Sequence, residues 1–270
     1  MIKAIQKRTS IRSYEKKPLS DTDKAKVKKI LDSIEKNQGP FNHQVKFFYV
    51  DNKIKSGGKI GTYGFVKNPP AFIGGVVENT SQGMIDFGFL FEQVILELTK
   101  ADLGTVWLGG TFNRDDFDIE SKDNEIIAAV SPVGYPANQS IREKIIRGFA
   151  KADKRKDFSD LFFKDSDFTP IEENHPYAQY LKAVQVGPSA SNKQPWRILL
   201  MDDIFHLYLK RNKGYGNKLK LDIQAIDMGI ALSHLYLSLK EDDYHPTFLE
   251  NQPFELENHE YIMSIQIKVN

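Results

Sequence analysis

Gly187-Pro188-Ser189-Ala190-Ser191-Asn192-Lys193-Gln194-Pro195-Trp196 is the stretch on which the reading of this chain turns. It separates a helix-like run, Tyr177 to Val186, from a strand-like run, Arg197 to Met201. Gly187-Pro188 ends the helix, because proline cannot continue one and restricts the residue before it. Ser189, Ser191, Asn192 and Gln194 then place four hydrogen-bonding side chains in one turn. Pro195-Trp196 fixes the exit with a rigid ring and a large apolar body. Such a loop is suited to gripping a polar, phosphate-bearing ligand from one side. The same composition also makes an ordinary capped turn.

The surrounding chain has 270 residues, 40% of them apolar, enough for one large domain or two small ones. With 37 Lys and Arg against 36 Asp and Glu, no global field favours nucleic acid or an anionic membrane. Any anion site must therefore be local. The absence of cysteine excludes disulfides, thiolate-ligated metal centres and a cysteine nucleophile. The six histidines are scattered without metal-ligand spacing, so no metal site is expected. Met1 to Arg8 is too polar for a signal peptide, and Asp86, Glu92 and Glu97 interrupt the longest apolar run. These features predict a soluble cytoplasmic protein with neither a nucleic-acid nor a membrane partner.

Along the chain, Ile2 to Arg8 reads as a short helix. Ser20 with Asp23 caps a second helix running to about Glu35, with Val27, Ile30, Leu31 and Ile34 at helical spacing. Val45–Val50 and Ala71–Val77 read as strands. Between them, 53–67 is rich in Gly and Lys. Its Gly57-Gly58-Lys59-Ile60-Gly61 lacks the strand-to-helix setting and the ending of a phosphate loop. Gln82–Lys100 is apolar nearly all round, which marks a central helix. Thr105–Leu108 is strand-like and ends at Gly109-Gly110; Glu125–Val133 is a strand closed by Gly134-Tyr135-Pro136. The basic stretch 141–156 is either a solvated face or a linker.

After this basic stretch the pattern begins again. Ile85-Asp86-Phe87-Gly88-Phe89 is echoed by Ile226-Asp227-Met228-Gly229-Ile230, in a second all-round apolar helix near 223–240. Gly39-Pro40-Phe41-Asn42-His43-Gln44 is echoed by Gly187-Pro188 with Asn192-Lys193-Gln194. Glu125–Val133 is echoed by Tyr261–Val269, where Tyr261, Met263, Ile265, Ile267 and Val269 share one face at period two. Three matches in the same order argue for duplication.

Arg8-Thr9-Ser10-Ile11-Arg12-Ser13-Tyr14 and Pro188–Trp196 together resemble the nitroreductase-like flavoprotein family. That family opens with R-x-S-x-[RK]-x-[FY] and carries a P-S-x-x-N-x-Q-P-W loop after its second helix. Ordinary members are homodimers with flavin in the interface, and here the loop arrives about 190 residues in, too late for one of them. A tandem chain resolves the displacement by building the dimer within itself. The resemblance, to the tandem-repeat branch, implies an α+β nitroreductase-like sandwich with a mainly antiparallel sheet and central helices. Two half-repeats, residues 1–150 and 151–270, would pack as one unit that mimics the family homodimer and stays monomeric.

The resemblance also implies FMN as cofactor, NAD(P)H as transient electron donor, and a nitroaromatic, quinone or similar small-molecule acceptor. Arg8, Thr9, Ser10 and Arg12 fall where the family contacts phosphate, ribityl chain and the ring's pyrimidine edge. Pro188, Ser189, Ala190, Ser191 and Asn192 fall in the flavin-gripping loop. Arg155 and Lys156 fall in the segment that closes on the phosphate. Leu108, Gly109 and Gly110 fall where the family runs backbone past the ring, though a strand-ending turn has the same composition. Tyr63 and Phe65 are candidates for the substrate face. No side chain is expected to be catalytic, since the flavin carries the chemistry. The first-half loop lacks the serines and the Pro-Trp, Ser159 falls where a second Arg12 would be, and Phe248-Leu249-Glu250-Asn251 has no glycine pair. A second site should be dead. Two rival readings remain: a flavin- or ligand-binding pseudoenzyme without turnover, and a structural pseudo-dimer with no flavin.

Overall fold

The computed structural model describes residues 1–51, 66–137, 154–250, 252–253 and 255–268. Tyr63, Phe65, most of the basic stretch 141–156 and the expected boundary at residue 150 lie outside them. In the first half, α1 (Ile2–Lys7) and α2 (Asp21–Ile34) precede β1 (Lys46–Asp51), β2 (Ala71–Glu78), α3 (Ser81–Lys100), β3 (Gly104–Thr105) and β4 (Glu125–Gly134). The second half holds β5 (Phe162–Lys164), β6 (Thr169–Pro170), α4 (Ala178–Gln185), β7 (Trp196–Met201), β8 (Ile204–Leu209), α5 (Ile223–Glu241), β9 (Thr247–Leu249) and β10 (Glu260–Gln266). The expected antiparallel sheet is two sheets, ordered β1-β2-β4-β3 and β6-β5-β7-β8-β10-β9. Each repeats one pattern: two adjacent strands, a long helix, a short edge strand and a strand inserted between. Apart from β5–β7, which is parallel, these strands pair antiparallel.

Local chemistry sets these elements. The Ser20 hydroxyl accepts the Asp23 N–H at 3.1 Å and starts α2. Thr80 and Asp222 do the same for the long helices, accepting from Gly83 N–H at 3.0 Å and Ala225 N–H at 3.1 Å. Both long helices are buried along nearly their whole length, as their all-round apolarity requires. The turn joining β7 to β8 was not foreseen. Asp202 and Asp203 have φ of 48° and 60°, the left-handed pair that a two-residue hairpin needs, without the Asn-Gly that usually signals it. The strand expected at 105–108 is shorter: β3 stops at Thr105, and Leu108 bridges Val130 separately. The strand expected to reach Val269 ends at Gln266, and Val269 lies outside the described residues.

One hydrophobic core runs through both halves, from Val27 and Leu31 of α2 across α3 and α5 to Ile198 and Met263. Its centre is the crossing of α3 and α5. A Cβ on Gly88 would sit 2.2 Å from the Ile226 carbonyl oxygen, and a Cβ on Gly229 would sit 2.1 Å from that of Ile85. The contact is reciprocal, each Ile-Asp-x-Gly segment lying on the other, so only glycine permits this approach. A buried hydrogen bond joins the halves as well. Glu92 of α3 faces His234 Nε2 of α5 at 2.9 Å and accepts the Trp107 indole N–H at 2.8 Å. His234 Nδ1 faces the Ala183 carbonyl oxygen at 2.8 Å and so carries the hydrogen there. On the other side, Ala4 and Ile5 of α1 pack with Leu96 of α3 and Ala183 of α4. The C-terminal ends of α1 and α4 are thereby brought together.

This crossing yields a direct expectation. Gly88→Ala and Gly229→Ala must each force the helices apart and should lower unfolding stability by about 1–3 kcal/mol or more in denaturant titrations. Lys29→Ala, on the exposed side of α2, should stay within about 0.5 kcal/mol of wild type. Wild-type stability in both glycine variants would show that the helices do not touch through their backbones.

Candidate functional site

Where the ends of α1 and α4 meet, a cavity of about 230 Å³ opens between the halves. Arg8, Thr9, Ser10 and Arg12 line it from the first half, together with Val106, Trp107, Gly109 and Ala129. Arg155, the loop from Pro188 to Asn192, and Ile223, Ile226, Asp227 and Ile230 of α5 line it from the second. Guanidinium groups and small hydroxyl or amide side chains thus share one space with a flat apolar wall.

The Arg8–Tyr14 segment is held as an extra extended strand. Ile11 N–H donates to the Thr105 carbonyl at 2.8 Å, and Lys67 N–H to the Arg12 carbonyl at 2.8 Å. Tyr14 is buried and its hydroxyl donates to the Ile11 carbonyl at 2.7 Å. Gly134-Tyr135-Pro136 secures the same segment. The Tyr135 carbonyl accepts the Glu15 N–H at 3.0 Å, and its hydroxyl donates to Asp23 at 2.6 Å. That hydrogen bond is the main reason the Asp23 carboxyl lies below its usual range.

The 187–196 loop is strained. Ser191, Asn192 and Gln194 have φ of 48°, 55° and 47°, a left-handed region that costs a non-glycine residue about 1–2 kcal/mol, least for Asn. Dense hydrogen bonding offsets that cost. Ser189 Oγ accepts the Gln194 N–H at 2.9 Å, and Asp227 Oδ1 accepts the Ala190 N–H at 2.9 Å. Arg155 donates to Asn192 Oδ1 and to the Val186 carbonyl, each at 2.9 Å, while Asn192 Nδ2 donates to the Lys154 carbonyl at 2.7 Å. Trp196 anchors the exit, fully buried, although its indole nitrogen has no partner among the described residues. An unmade hydrogen bond costs about 1–3 kcal/mol. Burying an indole gains about 4–6 kcal/mol by area, so burial wins. Strain held this firmly marks functional loops.

Three of the expected site residues do not line the cavity. Leu108 packs into a separate cluster with Phe72, Phe112 and Phe117, which Val106 also joins. Gly110 faces Leu219, with 3.1 Å from an added Cβ to Leu219 Cδ2. Lys156 lies behind the loop, its ammonium donating to the Gln194 carbonyl at 3.2 Å. Burial first, then Arg197 and Lys210, pushes the Lys156 pKa down to about 8. Ser159 lies in a short 3-10 turn on a surface groove it shares with Arg155 and Lys156.

Some participants were not foreseen. Val106, Ala129, Ile223, Ile226 and Ile230 read as core, and no sequence signal separates a core aliphatic from a wall. Arg114 pins the Gly109 carbonyl at 3.0 Å and the Ile127 carbonyl at 2.8 Å. The segment 210–222 reaches the site through Tyr215, whose hydroxyl donates to Ser191 Oγ at 2.8 Å. Arg211 braces it on Asp222 at 2.8 Å and Glu260 at 2.5 Å. Among the described residues no group of metal-ligating side chains gathers, and no helix is long and apolar enough to cross a membrane.

The first-half loop is arranged differently. Asp86 accepts from Phe41 N–H at 2.9 Å and from His43 N–H at 2.7 Å, using both carboxyl oxygens on its own loop.

No curated protein matches the chain. The crystal structure of a "putative nitroreductase" from Thermotoga maritima MSB8 matches 98% of this chain and 92% of that one, with a TM-score of 0.60 at 18% identity, a likeness of fold. A "putative NADH oxidase" from Clostridium acetobutylicum matches 51% of this chain and 89% of that one at 24% identity, with a TM-score of 0.39. A nitroreductase family protein from Clostridium novyi NT matches 64% and 97% at 21% identity, also with a TM-score of 0.39. The model of the family described as "Putative TM nitroreductase" matches residues 1–239, and the chain belongs to that nitroreductase family.

Proposed function

We propose that this chain is an FMN-dependent oxidoreductase that passes two electrons from NAD(P)H to a nitroaromatic, quinone or similar acceptor. The observation that carries this reading is the single cavity lined jointly by Arg8, Ser10 and Arg12 and, some 180 residues later, by Ser189, Ser191 and Asn192. We read residues 1–150 and 151–270 as two half-repeats. The shared strand order of the two sheets supports this, as do the paired Ile-Asp-x-Gly segments at the helix crossing.

The donor set fits FMN. A guanidinium binds phosphate with a planar fork of N–H donors, and Arg8, Arg12 and Arg155 all line the cavity. Hydroxyls of Thr9, Ser10, Ser189 and Ser191 suit a polyol. Val106, Ile223, Ile226 and Ile230 form an apolar wall for a flat ring. Bound FMN would supply the two-electron chemistry that no side chain here offers. The chain's own residues bind, orient and exclude water. Arg8 and Arg155 would hold the anionic end, and Arg12 would place positive charge near the ring, favouring its reduced, anionic form. The braced 187–196 loop would fix the polyol. Asn42 and His43, in the equivalent first-half loop, bring no comparable arginine, so we assign one flavin site per chain. Because the α3–α5 face is already internal, we also assign a monomer.

Three outcomes follow. With FMN supplied, the wild type should oxidise NAD(P)H only when a nitro or quinone acceptor is present. Flavin binding without turnover would identify a binding protein instead. A charge-assisted hydrogen bond contributes about 1.5–3 kcal/mol, so Arg8→Ala should weaken FMN about ten- to hundredfold by fluorescence titration. Asn42→Ala should leave affinity unchanged, and equal losses in the two variants would contradict a single site. Light scattering should give the mass of one chain, and a tight dimer would contradict the internal-interface reading.

A further inference from the structure

Asp227 occupies the second position of the Ile-Asp-Met-Gly segment of α5 and lines the cavity, yet is only 2% exposed. Its Oδ1 accepts the Ala190 N–H at 2.9 Å. Its Oδ2 is buried and has no hydrogen-bond partner among the described residues. A buried polar atom left unsatisfied costs about 1–3 kcal/mol, so its lack of a partner calls for an explanation.

The equivalent aspartate supplies the comparison. Asp86 has the same position in α3, is fully buried, and also braces the loop preceding a strand. Its Oδ1 takes the Phe41 N–H and its Oδ2 takes the His43 N–H at 2.7 Å, with His43 Nδ1 a further 3.2 Å contact. Bracing a loop therefore satisfies both oxygens when no cavity intervenes. In the second half, the Asn192 N–H turns instead to the Ser189 carbonyl at 2.9 Å, and one aspartate oxygen is left over beside the cavity.

We propose that Asp227 is a ligand-contacting residue whose free carboxyl oxygen hydrogen-bonds directly to a neutral acceptor atom, a carbonyl, ring nitrogen or hydroxyl, of the molecule held in this cavity. The proposal rests on the flavin reading and adds to it a contact on the α5 wall, opposite in character to the arginines. Burial, the largest influence, drives Asp227 well above the ordinary carboxylate range; Asp222 adds to this, and the Ala190 N–H opposes it. This direction favours the protonated carboxyl, which donates without setting a negative charge against the phosphate.

Variants at both aspartates, titrated with FMN, test this. Asp227→Asn keeps an acceptor for Ala190 and puts an N–H donor where Oδ2 stands, so affinity should stay within about threefold of wild type. Asp227→Ala should weaken FMN about tenfold. Asp86→Ala should lower the melting temperature while leaving FMN affinity within about threefold. In uniformly 13C-labelled protein with unlabelled FMN, the infrared carbonyl stretch of a protonated carboxyl, assigned by its loss in Asp227→Asn, should shift when FMN is added. If Asp227→Ala does not fold, this shift decides the question. An unmoved stretch, or unchanged affinity in a folded Asp227→Ala, overturns the contact while the flavin reading stands. Failure of the wild type to bind FMN overturns both.

Discussion

The backbone contact of Gly88 with Gly229 fixes the rest of the molecule. With no Cβ at either position, α3 and α5 approach until carbonyl oxygens would overlap any added methyl. That approach sets how far the first sheet stands from the second. It therefore sets where Val106, Trp107 and Ala129 meet Ile223, Ile226 and Asp227. Glu92, bonded to both His234 and Trp107, carries the same constraint from the helix crossing to the cavity wall. The cavity is thus a property of the packed pair rather than of either half.

The two halves share an arrangement and differ where chemistry would need them to. In the first, β2 passes to α3 through Asn79 and Thr80 alone; in the second, β8 passes to α5 through residues 210–222, which reach Ser191 of the cavity lining through Tyr215. In the first, both carboxyl oxygens of the aspartate take N–H groups of its loop; in the second, Asp227 takes one, from Ala190. These differences place three left-handed loop residues and, among the described residues, an unpartnered carboxyl oxygen on the second-half side.

Much of this was legible in the sequence, for identifiable reasons. The long helices are apolar all round, which marked them as central, and their paired Ile-Asp-x-Gly segments marked the echo between the halves; that these two segments touch is visible only in the packed structure. The loop's Gly-Pro start and Pro-Trp finish, with the arginine segment, announced the polar part of the cavity. The remainder depends on direction rather than residue type. Trp107 and Gly109 line the cavity while Leu108, between them, packs into a separate apolar cluster. Arg155 lines it while Lys156 faces Gln194 behind the loop. Ile223, Ile226 and Ile230 look identical to core residues until the opposing wall is in place. The β7–β8 hairpin was hidden because Asp202-Asp203 adopts a turn usually written with glycine.

The central claim, one flavin site shared between two unlike halves, is tested most directly by counting. Titration of the flavin-free chain with FMN, read by fluorescence quenching and checked by the absorbance of the gel-filtered complex, should saturate at one equivalent per chain. Saturation at two equivalents would show that the first-half loop also binds. No retained flavin in excess FMN would leave a structural pseudo-dimer and contradict the account.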